Sequence, residues 1–128
     1  MTQGLADTSL FIARETGRTI DFAAVPDELA VSVITIGELR AGVLVASDTE
    51  ARSRRLATLT HALTMDPVPV DGHVAASWAV LRVLLRDRGQ RLPVNDSWIA
   101  ATAMALEVPV VTQDDDYPEL PGLDIIRV

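Results

Sequence analysis

Leu5-Ala6-Asp7-Thr8-Ser9-Leu10-Phe11-Ile12 is the stretch from which the fold of this chain can be read. A short apolar run stops on an aspartate, and behind it two hydroxyl residues open a second apolar run. That is the pattern of a strand ending at Asp7 and handing the chain to a helix. In open α/β sheets ligands gather at the carboxyl ends of strands, because loops and helix N-termini converge there. Asp7 therefore stands where such a fold places its chemistry.

The same alternation repeats outward from this stretch. The first helix is expected to run to about Thr16, with Gly17 as its C-cap. After a loop carrying Pro26 and Asp27, Leu29 to Val33 reads as a buried strand, and Thr35 opens a helix in which Ile36, Leu39 and Val43 recur at helical spacing. Thr49 to about Leu63 is another helix, and Val68 to Val70, between prolines, is an edge strand at best. Asp71 caps the longest helix, whose Val74, Trp78, Leu81 and Leu85 form one stripe and which Gly89 ends. Asn95 or Asp96 starts the next, with Ile99, Ala103 and Leu106 on one side. Strands over Val108 to Thr112 and Leu123 to Val128 flank a polar turn from Asp114 to Pro121. Five short strands separated by helices predict an α/β fold, with a mainly parallel, roughly five-stranded sheet covered on both faces. At 128 residues the chain suits a single domain spanning 1–128.

Composition narrows the chemistry. Hydrophobic residues make up 48% of the chain and aromatics 4%, so the core is one of Leu, Val, Ile and Ala. The absence of cysteine excludes disulfides, thiolate nucleophiles and sulfur-held zinc. No stretch free of Asp, Glu, Lys and Arg exceeds 10 residues, whereas a membrane-spanning helix needs roughly 20. With Asp7 interrupting the only candidate leader, a cytoplasmic protein without membrane association is expected. All 11 basic residues are arginine and the net charge is −7. Alone, that charge opposes a nucleic-acid partner; the objection weakens if cations neutralise an acidic cluster and the arginines are grouped.

Right-handed crossovers bring Glu38, Asp96 and Asp114 to the same sheet edge as Asp7. Each has an ordinary structural explanation: Asp7 as a helix cap, Thr35-x-x-Glu38 as a capping box, Asp96 as a charge at a helix start, Asp114 in an Asx turn. Jointly they resist it. Glu38 shares a helical face with Ala41, Gly42 and Val45, and Asp96 lies in line with Ile99 and Ala103. Inward carboxylates cost several kcal/mol each unless paired or metal-bound, and the chain has no lysine to pair with them. A divalent cation resolves the conflict, and an all-oxygen site suits Mg2+, with Mn2+ as the other candidate. A hard cation with open positions for water and phosphate oxygen is the equipment of phosphodiester hydrolysis.

Four stretches carry a family resemblance: Leu-Ala-Asp-Thr-Ser at 5–9, Ile-Gly-Glu-Leu-Arg-Ala-Gly at 36–42, Asn-Asp-Ser-Trp-Ile-Ala-Ala-Thr-Ala at 95–103 and Thr-Gln-Asp-Asp-Asp-Tyr at 112–117. Together, in this order and over nearly the whole chain, they resemble the acidic motifs of PIN-domain ribonucleases, and most nearly the VapC-type toxins of bacterial type II toxin–antitoxin modules. The resemblance implies a PIN-like three-layer α/β/α fold and a metal-dependent endoribonuclease acting on RNA, structured RNA such as tRNA included. It implies that Asp7, Glu38, Asp96 and Asp114 carry the metal and the attacking water, with Asp116 as a fifth acid and Asp115 left as a solvated charge. Thr8, Ser9, Asn95 and Thr112 become the hydroxyl or amide partners behind the acids. A homodimer and an inhibitory cognate antitoxin, often one that inserts a basic side chain into the acidic site, are implied as well.

Other residues carry weaker signals. Arg14 and Arg40 lie within about two helical turns of the acids and are candidates to meet substrate or antitoxin. Arg52, Arg54 and Arg55, and beyond them Arg82, Arg86, Arg88 and Arg91, are candidates for RNA-backbone contacts, several of them being ordinary solvated charges. His61 and His73 read as surface histidines, Trp78 as core, and Trp98 as either core or a dimer contact. Ser9 lacks a base placed with it and the Gly-x-Ser-x-Gly turn of a serine nucleophile. A receiver-type phosphoacceptor domain would normally require a lysine, which is missing. A PIN-like binding module without catalysis and a DNA nuclease with the same site remain the rival readings.

Overall fold

The computed structural model describes all 128 residues. Strand β1 (Gln3–Ala6) leads into helix α1 (Thr8–Thr16), and β2 (Glu28–Val31) into α2 (Val33–Leu44). Three helices follow, α3 (Thr49–Leu63), α4 (Gly72–Asp87) and α5 (Val94–Leu106), before β3 (Val110–Thr112) and β4 (Ile125–Arg127). The strands form one sheet in the order β2-β1-β3-β4, and every pairing is parallel.

Alternation along the strands divides the core. Leu5 of β1 and Val110 of β3 point to one face, where they join Val74, Leu81 and Leu85 of α4 and Ile99 and Ala103 of α5. Ala6, Val31 and Val111 point to the other, against Leu10 and Phe11 of α1 and Leu59 and Ala62 of α3. Helix α2 contributes Ile34 to the first cluster and Leu39 to the second. The result is the expected α/β/α sandwich. No helix is long and apolar enough to cross a membrane.

The structure moves the bounds of the strands expected at 29–33, 108–112 and 123–128 to those given above, and corrects three further boundaries. The expected strand at 68–70 reduces to a single parallel bridge between Ser32 and Val68, leaving four strands instead of five. Pro67 and Pro69 flank Val68 and cannot donate to a ladder, so pairing does not propagate. Helix α2 begins at Val33 and not Thr35, because the Ser32 side chain caps it by accepting from the Ile34 amide at 3.0 Å. Helix α5 begins at Val94 with Pro93 as its N-cap residue and no side-chain cap, so neither Asn95 nor Asp96 spends its side chain on capping.

Register sets up the site. Ala6 pairs with Val31 on one side and with Val111 on the other. The next residue along each of these three strands is polar and buried: Asp7, Ser32 and Thr112. Helix α5 precedes β3, so its first turn meets the same edge.

Candidate active site

Asp7 anchors the carboxyl edge of the sheet, and only 1% of its surface is exposed. Its Oδ1 accepts from the Ser9 amide at 3.1 Å and from the Ser9 hydroxyl. Its Oδ2 accepts from the Thr112 hydroxyl at 2.7 Å and from the Tyr117 hydroxyl at 3.2 Å. The capping reading is therefore correct as far as it goes, since the Ser9 amide opens α1. Three further donors exceed what a cap requires, and they fix the carboxylate in one orientation.

Those hydroxyls are themselves held. Ser9 Oγ accepts from the Gln113 amide at 2.9 Å, and Thr112 Oγ1 accepts from the Asp114 amide at 2.9 Å. The turn that carries the acidic run 114–116 is thus tied to the residues that orient Asp7. Burial pushes the Asp7 carboxyl above its ordinary range, partly offset by the hydrogen bonds from Ser9 and Thr112, and the negative charge of Asp114 adds to the rise.

Glu38 approaches from α2. Its Oε1 accepts from the Thr8 hydroxyl at 2.7 Å, and Thr8 Oγ1 lies 2.9 Å from Thr35 Oγ1. With Thr8 donating to Glu38, Thr35 donates to Thr8. Thr35 is buried and not a cap, so no capping box forms and Glu38 is turned to the first turn of α1.

Asp96, half-buried in the first turn of α5, closes the group. Desolvation first, and then the charges of Asp7, Glu38, Asp114 and Asp116, together raise its pKa to about 6. The five acids singled out from sequence thus share one electrostatic neighbourhood. The ion pairs of the molecule lie elsewhere, at Arg54–Glu50, Arg86–Asp87 and Arg127–Asp115. No three acidic or histidine side chains stand close enough, in the positions the structure gives, to chelate one ion. Asp7 is held in one orientation by its donors, while Glu38, Asp96, Asp114 and Asp116 are more exposed.

The remaining candidates divide. Ser9, Thr112 and Thr8 are hydrogen-bonded to the acids as described. Asn95 is exposed beside Asp96, and Arg40 is exposed on α2. Arg14 is turned away, its guanidinium 2.9 Å from His61 Nε2 on α3. Asp115 faces outward to Arg127 at 3.0 Å, in keeping with a solvated charge. Arg52 and Arg55 donate to the Ala46 and Gly42 carbonyls at 3.2 and 2.7 Å and so tie α3 back to the end of α2, while Arg54 pairs with Glu50 one turn away on α3 itself.

The sequence reading gave Tyr117 no role and did not pair Trp78 with Trp98. Tyr117 is buried with its hydroxyl on Asp7, and burial together with the nearby carboxylates holds that phenol protonated far above its usual range. Its signals were its place at the end of the 112–117 stretch, directly behind the acidic run, and its being the chain's one tyrosine. Trp78 and Trp98 stack with ring centroids 4.5 Å apart and planes 5° from parallel, while Trp78 Nε1 donates to Ser97 Oγ at 3.0 Å. Helical spacing alone does not bring α4 and α5 into that register.

Comparison with known proteins agrees with this architecture. The profile of the PIN domain family matches residues 5–123. Ribonuclease VapC5 of Mycobacterium tuberculosis is 49% identical over 128 residues, covering 98% of this chain and 95% of that protein. Ribonuclease VapC4 of the same organism is 45% identical over 126 residues, covering 98% and 97%. In the crystal structure of VapBC-5, a member of the VapBC family of toxin–antitoxin systems from Mycobacterium tuberculosis, a chain 44% identical superposes with a TM-score of 0.92 over the full length of both. The chain belongs to the PIN-domain family, in its branch of VapC ribonucleases, the toxins of VapBC toxin–antitoxin systems.

Proposed function

We propose that this chain is a divalent-metal-dependent endoribonuclease whose acidic centre hydrolyses RNA phosphodiester bonds, with Mg2+ or Mn2+ as the ion and structured RNA such as tRNA as the substrate. The observation that carries the reading is the crowding around Asp96, where four other carboxylates act on one half-buried acid. Such an arrangement is costly by itself and becomes favourable on binding a cation.

The donor set fits a hard cation, being all oxygen. Asp7, Asp96 and Asp114 would hold it, with Glu38 and Asp116 at the rim. When bound, the ion lowers the pKa of a water and offsets charge developing on the phosphoryl oxygens and the leaving oxygen. The chain's own residues supply orientation. Ser9, Thr112 and Tyr117 keep both Asp7 oxygens in fixed directions, and Thr8 holds Glu38 beside the first turn of α1. Preset direction lowers the reorganisation needed as charge moves.

A cognate antitoxin as inhibitor and a homodimer as the working state complete the proposal. The antitoxin is supported by the toxin–antitoxin complex in which the superposed relative occurs. The test is cleavage of end-labelled tRNA and a single-stranded RNA by the purified chain with Mg2+, with Mn2+, with chelator, and by Asp96→Asn. Discrete products that disappear with chelator and with the variant are expected. RNA or antitoxin binding without products under any condition would replace the nuclease by a catalytically silent binding module.

A further inference from the structure

In a chain of net charge −7, the junction between α4 and α5 is locally basic. Arg82, Arg86 and Arg91, with Gln90, line a surface cavity floored by Leu85 and Leu92, with an accessible volume of about 330 Å³. All three arginines are exposed. Arg86 shares its guanidinium with Asp87 at 3.1 Å, while Arg82 and Arg91 have no acidic partner. A helix C-terminus is served by one basic residue in its last turn, which Arg86 provides. Arg82, a turn earlier, and Arg91, beyond the helix, are not accounted for in that way.

The cavity lies at the same end of α5 as Asp96. The short connector 88–93 turns the chain back and the bond from Trp78 to Ser97 holds α4 and α5 side by side, so the two run in opposite directions and the last turns of α4 rise past the first turn of α5. Leu92 in the cavity floor and Asp96 in the acidic cluster are four residues apart in sequence, a span of at most about 14 Å. Arg82 is also held in place: its guanidinium lies 5.3 Å from the ring centroid of Trp78, which stacks on Trp98. A cation packed on an aromatic face loses less freedom on binding an anion.

We propose that Arg82, Arg86 and Arg91 form a phosphate subsite for the RNA strand, gripping its backbone a few nucleotides from the bond presented to the acids. This rests on the nuclease reading above. It explains how an acidic protein holds a polyanion next to its own carboxylates: attraction is concentrated in one cavity beside the repulsive centre. Guanidinium groups bind phosphate oxygens in pairs, and interactions of this kind position the strand without reading its bases.

The test is equilibrium binding of a fluorescently labelled single-stranded RNA to the full chain in chelator, where no cleavage occurs, across a NaCl series. Arg86→Gln/Arg91→Gln is the main variant, and Arg82→Gln removes the third guanidinium. The charge-matched control is Arg52→Gln/Arg54→Gln, on the helix layer across the sheet. Each phosphate that is no longer neutralised lowers the slope of log K against log salt by about 0.7. The double variant is therefore expected to lose about 1.4 of slope and bind roughly 10-fold more weakly at 0.1 M salt, and the control to keep the wild-type slope. Arg86→Lys/Arg91→Lys, which retains the charge, should recover most of the slope and separates removal of charge from misfolding. In cleavage assays the double variant should raise KM with kcat within about twofold of wild type.

Wild-type binding by the double variant, or an equal weakening in the control, would overturn the subsite. So would unchanged RNA binding accompanied by disruption of the homodimer or of the antitoxin complex, which would make the cavity a protein interface. Failure of the nuclease reading is seen separately, as wild-type chain that binds RNA with the predicted arginine dependence yet releases no products with Mg2+ or Mn2+.

Discussion

The hydroxyl of Tyr117 donates to Asp7 Oδ2 at 3.2 Å, joining residues 110 positions apart in the chain. Thr112 donates to the same oxygen at 2.7 Å. One carboxylate oxygen, buried at the end of β1, is thereby set by two side chains from the segment that also carries Asp114 and Asp116.

Tyr117→Phe keeps the ring in the core and removes that donor. A hydrogen bond to a charged group contributes about 1.5–3 kcal/mol, and partners behind a metal ligand typically alter affinity by about 10-fold or more. The expected outcome is a lower melting temperature together with a rise of about 10-fold in the Mg2+ concentration giving half-maximal cleavage. Magnesium titration of the rate and a thermal melt check both parts, and an unchanged magnesium dependence would confine Tyr117 to packing.

Asp7→Asn removes a negative charge from the crowded cluster and keeps the side-chain shape. The hydroxyls of Thr112 and Tyr117 can rotate to accept from an amide, so in chelator the variant is expected to melt within about 1 kcal/mol of wild type. Cleavage should be abolished. A melt displaced by much more than this would show that Asp7 serves chiefly as the cap of α1.

Acidity provides a third check. The folded pKa of Asp96, about 6, exceeds the ordinary value of 3.8, so between these values the folded chain binds more protons than the unfolded one. Its contribution to stability is complete at low pH and is lost as pH rises through about 6. In chelator, Asp96→Asn should flatten the fall in melting temperature between pH 5 and 7 and stabilise the chain at pH 7 by about 1 kcal/mol, allowing for partial exposure. Added Mg2+ at pH 7 should raise the wild-type melting temperature and leave that of the variant nearly unchanged.

Gly4 provides a control away from the acids. A Cβ built there would lie 2.6 Å from Val111 Cγ2 and 3.0 Å from Pro26 Cγ, inside the central pair of strands. Gly4→Ala is expected to cost about 1–3 kcal/mol by overpacking. Urea unfolding should show a lower midpoint at constant slope, and the folded fraction should retain wild-type kcat.

Local signals account for what the sequence alone determined. The short apolar runs of β1 and β3, helical stripes in α4 and α5, Gly17 closing α1 and Asp71 capping α4 are each decided within a few residues, and each was readable. Parallel topology followed because helices separate the strands, and that topology sent Asp7, Glu38, Asp96 and Asp114 to one edge. Chain direction is enough to say which end of a strand or helix a residue occupies. The sequence did not show which hydroxyl caps α2, because Ser32 and Thr35 both fit a helix start. The choice fell to burial, which enclosed Thr35 against Thr8. Nor did it show that Val68 makes only one bridge, which depends on the edge it meets. The hydrogen bond of Tyr117 to Asp7, the Trp78–Trp98 stack and the cavity of Arg82, Arg86 and Arg91 were decided by tertiary structure alone. Such arrangements join side chains far apart in sequence, and their distances depend on how whole helices pack, which no local pattern of residues encodes.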